Sequence, residues 1–120
     1  MGYKSPKDIW KIANRQLIEA EIEVEKKSNM NSYKACMNCK NSMIQSMNSY
    51  LLSREIMPSP VQTLHVLMEQ CRQEDPEFVD IELEKINCRF EVVNEDHCTS
   101  QKDLKKCLDV TTSVNNITRL

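Results

Sequence analysis

The chain has 120 residues, a formal net charge of -2 and 28% charged residues. This length suits one domain, and it is enough to bury about two-thirds of the unfolded surface without disulfides or a metal. Proteins that bind nucleic acid or anionic membranes by charge alone carry a basic excess, which is absent here. We therefore expect a single domain over residues 1–120, with no membrane association.

The glycine content indicates the fold class. The chain has one Gly and four Pro, whereas an all-β protein of this size needs several Gly-rich turns. The N-terminus has no secretory signal, and no apolar run reaches the roughly 18 residues of a membrane span. We expect an all-α cytoplasmic protein whose six cysteines are reduced thiols.

Helix-capping residues and apolar spacing together predict about five helices. Ser5-Pro6, Ser59-Pro60 and Asp75-Pro76 each place a proline directly behind a favourable N-cap residue, where its missing N–H would be unpaired anyway. The predicted helices span residues 6–27, 32–55, 60–73 and 76–98, and a fifth begins at residue 101. Short loops between long helices predict an up-and-down antiparallel bundle.

The fourth predicted helix carries an apolar stripe and has an ambiguous end. Val79, Leu83, Ile86 and Phe90 recur at spacings of four, three and four, as on the buried face of a helix. The sequence from Phe90 to Val93 also suits a short strand, but no second strand is predicted to pair with it. We therefore interpret residues 91–98 as the end of this helix.

Cys36 and Cys39 form the closest cysteine pair and raise the question of a metal site. A structural zinc site usually has two such pairs, but the other four cysteines stand nine or more positions apart. Both residues lie on one predicted helix face, where cysteine packs as a small apolar side chain. We predict packing and no metal or other cofactor, with zinc or redox chemistry at this pair as the alternative.

The second predicted helix has more apolar surface than one bundle stripe requires. Much of this surface is methionine, which adapts its shape to a partner. We predict a face for a second copy or a protein partner, formed by Met37, Met43, Met47 and Tyr50.

The order of elements resembles the HEPN family (higher eukaryotes and prokaryotes nucleotide-binding domains) over residues 8–118. The first helix contains Ala13-x3-Leu17-x2-Ala20, and the second opens with Tyr33-x2-Cys36-x2-Cys39. A short third helix follows, with the sequence Thr63-Leu64-His65-Val66-Leu67-Met68. The resemblance implies a bundle of about five helices that forms a homodimer. It also implies that the protein binds a nucleotide, or that it is a partner of a nucleotidyltransferase or a component of a toxin–antitoxin pair.

Active members of the HEPN family cleave RNA through an Arg that is followed by four to six residues and then a His. In this chain, ten residues separate Arg54 from His65 and seven separate Arg89 from His97. Neither pair fits the motif, so we predict a non-catalytic accessory or interaction module. The alternative is a divergent ribonuclease that uses Arg89 and His97 with RNA as substrate.

Overall fold

A computed structural model describes residues 5–26, 28–83 and 101–119. These residues form four α-helices and one short 3-10 helix, without a strand among them, so the all-α class is confirmed. None of the described helices has an apolar stretch long enough to cross a membrane. The helices are α1 (Pro6–Val24), α2 (Ser32–Ser53), α3 (Leu64–Glu74) and α4 (Gln101–Thr118), and the 3-10 helix spans Pro76–Asp80.

α1 and α2 pack in antiparallel orientation. Glu23, near the end of α1, accepts a hydrogen bond from the backbone N–H of Asn31 just before α2 (2.8 Å). Ser42, in the middle of α2, donates to the carbonyl of Ala13 in the middle of α1 (2.6 Å). The Asn31 N–H and the Lys26 ammonium hold the pKa of the buried Glu23 carboxyl below its usual value. This ionised carboxylate therefore ties the turn between the two helices together.

α4 also runs antiparallel to α1, and it is therefore parallel to α2. The Gln101 side chain at the start of α4 donates to the carbonyl of Val24 at the end of α1 (2.9 Å). At the opposite end, the indole of Trp10 donates to the carbonyl of Asn115 (3.2 Å). The described residues contain four α-helices instead of the five or so predicted, and an up-and-down order of four helices places the last antiparallel to the first.

A polar junction lies inside the core where α1, α2 and α4 meet. Asn115 is 2% exposed, and its side-chain amide donates to the hydroxyls of Ser42 (3.0 Å) and Ser46 (2.9 Å). Ser42 in turn donates to the carbonyl of Ala13. One connected set of hydrogen bonds therefore joins all three helices. It pairs the Asn115 amide nitrogen with both hydroxyls, which would be costly to bury alone, while the buried Asn115 Oδ1 has no hydrogen-bond partner among the described residues.

The third predicted helix begins later than its proline suggests. α3 starts at Leu64, and Thr63 is its N-cap, with a side-chain oxygen that accepts from the N–H of Val66 (3.2 Å). The Ser59 hydroxyl accepts from the N–H of Val61 (3.0 Å) and so forms a local turn instead of a helix cap. Residues 60–63 are therefore not helical.

The start of the fourth predicted helix is also wrong. Residues 76–80 form a 3-10 helix, and the chain is extended at Ile81. The Arg72 guanidinium on α3 donates to the carbonyls of Phe78 (3.3 Å) and Ile81 (2.7 Å). These contacts occupy the carbonyls that a continuing α-helix would use. In the resulting conformation Phe78 is fully buried, and Val79, which the predicted helix would bury, is 61% exposed. The predicted residues 84–98, including Ile86 and Phe90, lie outside the described residues.

α2 ends in a Schellman motif, in which a residue with left-handed backbone follows the helix. Glu55 has a φ of 61°, and the next N–H, from Ile56, bonds the carbonyl of Leu51 (2.9 Å). Glycine is the usual residue at this position, because a side chain makes the left-handed conformation less favourable.

Glu55→Gly should therefore stabilise the fold. We expect a gain of about 0.5–1 kcal/mol in the free energy of unfolding, because the strain at a positive φ is relieved. Urea unfolding of the two proteins measures this difference, and Glu55→Ala serves as a control that removes the charge but keeps the strain. If Glu55→Ala raised the free energy of unfolding as much as Glu55→Gly, removal of the charge would explain the gain instead of relief of backbone strain.

Candidate functional site

The partner face predicted on α2 is not on the surface of the described structure. Met43 and Met47 are 0% exposed and Tyr50 is 4% exposed, while Met37 is partly buried and packs against the core. α2 contacts α1, α3 and α4, so its additional apolar side chains are used within the chain. Three of these residues are therefore core residues and Met37 borders the core, so they do not form an exposed partner face.

Tyr50 has a structural contact of its own at the end of α2. Its hydroxyl donates to the Asp75 carboxylate (3.0 Å), and its ring meets Phe78 edge to face at 5.1 Å. Burial and the neighbouring Asp75 carboxylate raise the pKa of Tyr50 to about 12. Tyr50 therefore fixes the 3-10 helix against α2.

Cys36 and Cys39 lie in the core, as the packing interpretation predicts. Both are fully buried thiols outside any disulfide, as are Cys71 and Cys107. Across the described parts of the chain, no three His, Cys, Asp or Glu side chains come together as metal ligands. Cys88 and Cys98 lie outside the described residues, as do Arg89 and His97, the pair of the ribonuclease alternative.

One open feature of the described structure is a groove of about 700 Å³ between the 3-10 helix and α4. Its apolar floor consists of Ile81, Val110 and Ile117. Ile81 is buried, and the other two are partly exposed. The residues that α4 contributes span positions 106–117, and this stretch of helix is about 16 Å long. The groove thus follows α4 for about three turns.

The rim of this groove is acidic. Four carboxylates line it, against the single ammonium of Lys106. These carboxylates are exposed to solvent, and they belong to Glu77, Asp80, Glu82 and Asp109. A rim of this sign repels phosphate, so the groove does not suit a nucleotide, and it attracts cationic groups.

A second surface feature is the stripe of α1 that faces away from the core. Ile18 and Ile22 are 46% and 59% exposed, although both are large apolar side chains. Lys11 and Arg15 precede them at spacings of seven and three, and Glu25 follows three residues after Ile22. These five residues share one helix face, which is here called the α1 stripe.

Most of the charge along α1 is arranged against the helix dipole, and the acidic Asp8 in the first turn is the exception. Lys7, Lys11 and Arg15 occupy its first half, while its second half carries Glu19, Glu21, Glu23 and the adjoining Glu25. Basic side chains are unfavourable near a helix N-terminus and acidic ones near a C-terminus. Neither Arg15 nor Glu25 forms an ion pair with another described residue. Apart from Asp8 in the first turn and Glu23, which bonds the turn to α2, these charges are not placed to stabilise α1 through its dipole.

The described residues thus form an all-α fold with two notable exposed features, the α1 stripe and the groove beside α4. Comparison with family models, curated proteins and solved structures found no match for the chain.

Sequence patterns could have indicated one of the two surfaces. In the sequence, Ile18 and Ile22 fall outside the helical spacing of the buried face of α1, so the α1 stripe was predictable. The groove was not predictable, because its two walls are about 25 residues apart in the chain and come together only when the chain folds.

Proposed function

We propose that this chain is a non-catalytic HEPN-like accessory module that acts as a homodimer and pairs through the α1 stripe. The observation that carries this proposal is the self-complementarity of the stripe. When two copies of α1 lie antiparallel, Ile18 of each copy faces Ile22 of the other, and Arg15 of each faces Glu25 of the other. A two-fold axis at the middle of the stripe produces both pairings together.

Electrostatics favours this antiparallel arrangement over a parallel one. The basic half of each α1 then lies against the acidic half of the other, and opposite potentials across an interface stabilise the encounter. A parallel pair would place like charges together along the whole helix. The charge pattern that is unfavourable within one helix thereby becomes favourable between two copies.

The size of the stripe sets the expected strength of the dimer. α1 has 19 residues and is therefore about 28 Å long, so a seam along this helix alone is smaller than a standard stable interface. We expect a reversible dimer with a dissociation constant in the micromolar range, which salt weakens because the Arg15–Glu25 pairs are exposed.

The remaining parts of the proposal follow from the resemblance. The module would work beside a nucleotidyltransferase-like protein or in a toxin–antitoxin pair, in the cytoplasm, and any nucleotide would bind away from the acidic groove. The four cysteines among the described residues are not joined in disulfides, which suits a reducing compartment.

Light scattering across a concentration series tests the homodimer. We expect the wild-type mass to rise toward twice the 14.0 kDa monomer mass with increasing micromolar concentration. Ile18→Glu should remain monomeric, because it places a charge at the centre of the seam. Val61→Glu, at a 52% exposed valine outside the stripe, is the matched control and should dimerise normally.

A charge exchange tests the antiparallel geometry itself. Arg15→Glu and Glu25→Arg should each weaken the dimer about tenfold or more, because each places like charges opposite one another. The double variant should restore it, because Glu at position 15 then faces Arg at position 25 of the other copy. A wild-type protein that stays monomeric, or a double variant that is not restored, would refute the proposed pairing.

An assay with a mixed RNA pool separates this proposal from the ribonuclease alternative. Cleavage by the wild type that both Arg89→Ala and His97→Ala abolish would replace the accessory module with an enzyme.

A further inference from the structure

We infer that the groove between the 3-10 helix and α4 binds a basic amphipathic α-helix of a partner protein. This inference deepens the accessory role, since it names the kind of partner, but it concerns a surface separate from the α1 stripe. It therefore does not depend on the homodimer.

The dimensions of the groove fit one helix. It runs beside α4 for about 16 Å, and its volume of about 700 Å³ lies in the range of specific binding sites. Val110 and Ile117 are seven positions apart on α4, which is two helical turns, and Ile81 lines the groove from the wall of the 3-10 helix. A second helix along this line would place its own apolar residues at i, i+3 or i+4, and i+7 over this floor.

The secondary structure of the walls argues for a helix over an extended peptide. An extended peptide usually binds by adding a strand to an exposed sheet edge, which satisfies its backbone. The two walls of the groove are α4 and the 3-10 helix with Ile81 and Glu82, and α4 has no free backbone edge. A helical occupant satisfies its own backbone groups and needs only side-chain contacts.

The rim determines the charge of the occupant. Glu77 and Asp80 lie on the wall of the 3-10 helix, and Asp109 lies on the wall of α4, so carboxylates flank the apolar floor on both sides. Lys or Arg side chains on both flanks of a bound helix would meet these carboxylates while its apolar face covers the floor. An acidic helix would place like charges beside these carboxylates, and a neutral helix would offer them no cation.

Fluorescence anisotropy with three synthetic helical peptides tests this inference. The first peptide has Leu at the i, i+4 and i+7 positions and Lys on both flanks. The second keeps the Leu positions and carries Glu in place of Lys, and the third has the composition of the first with the Leu residues scattered around the helix. We expect the first to bind at least tenfold more tightly than either of the others, with an affinity that falls as salt is raised.

Groove variants locate the binding. Asp80→Lys and Asp109→Lys should each weaken binding of the basic peptide about fivefold or more, and Val110→Gln should weaken it without changing the salt dependence. Glu55→Lys makes the same change in net charge outside the groove and is expected to bind as the wild type does. Circular dichroism of each variant confirms that the helices are retained.

Several results would overturn the inference. Equal binding of the acidic peptide would indicate a different partner, and equal binding of the scattered peptide would indicate simple charge attraction. Absence of binding by all three peptides, or unchanged binding by the groove variants, would also overturn it. If a second copy occupies the groove, the basic peptide will dissociate the wild-type dimer, which is a further contrary result.

The monomeric variant keeps the two proposals distinguishable. Ile18→Glu should bind the basic peptide as tightly as the wild type does, because its substitution lies on α1. If the wild type does not dimerise but still binds the basic peptide, only the α1 pairing is refuted. If the wild type dimerises but does not bind the peptide, only the groove inference is refuted.

Discussion

Phe78→Ala is expected to reduce the free energy of unfolding by about 3–5 kcal/mol, as for other large aromatic side chains removed from a core. Phe78 is 0% exposed, and its ring contacts Tyr50 at a centroid distance of 5.1 Å. The substitution removes this contact and leaves a cavity beside α2 and α3. Urea unfolding followed by circular dichroism measures the loss.

Val79→Ala is the matched control for this prediction. Val79 is the next residue and is 61% exposed, so its truncation should change stability by less than about 0.5 kcal/mol. The two variants decide between the 3-10 helix and the helix that the sequence predicts, in which Val79 lies on the buried stripe. A larger loss in Val79→Ala than in Phe78→Ala would favour that helix. Phe78→Leu keeps much of the volume, and it should fold if the alanine variant does not.

Cys71 should react with alkylating reagents about a thousandfold more slowly in the folded protein than in the unfolded chain. Burial, followed by the charges of Asp75 and Glu74, raises the pKa of this thiol from 9.0 to about 12. The thiolate is the reactive form, and near pH 8 its population falls about tenfold for each unit by which the pKa rises. The thiol is also fully buried, so local opening must precede the reaction.

Site-resolved mass spectrometry after alkylation tests this protection. Cys36, Cys39 and Cys107 are buried too and should be protected with Cys71, while all six cysteines should react in urea without a reductant. Reaction of Cys71 at the same rate in the folded and unfolded states would contradict its buried position. Fewer than six reactive thiols in urea would indicate a disulfide or a bound metal.

The sequence predicted those parts of the fold that depend on local interactions. α1 begins at Pro6 because Ser5 caps it, and the cap accepts from the N–H of Asp8 (3.2 Å). Its buried face contains Ala13, Leu17, Ala20 and Val24, as the spacing predicts. α2 begins at the predicted position for a similar reason, since Asn31 caps it through the N–H of Lys34.

The segment from Pro76 to Leu83 was not predictable in this way, because a distant side chain determines it. Asp75 and Pro76 are good helix-starting residues, and Asp75 does cap the N–H of Glu77 (2.9 Å). The contacts of Arg72 with the carbonyls of Phe78 and Ile81 then prevent helix continuation. Local preference was correct for the first turn, and tertiary contacts decided the rest.

The exposed face predicted on α2 was wrong, because the sequence shows how much apolar surface a helix has but not how many neighbouring helices cover it. Met43 and Met47 suggested a surface for another protein, yet α2 is the central helix of the domain and has neighbours on several sides. α1 has fewer neighbours, so Ile18 and Ile22 remain outside. Exposed apolar residues on a peripheral helix are the better guide to an interface.

The polar junction at Asn115 determines how α4 can slide along its neighbours. The surrounding core contains Met43, Met47 and Met68, and such flexible side chains tolerate more than one packing. A slip of α4 by one turn, about 5.4 Å, would separate the Asn115 amide from Ser42 and Ser46 and leave buried polar groups without partners. Val110 and Ile117 lie on the same helix, so these hydrogen bonds also fix where the two side chains lie along the groove.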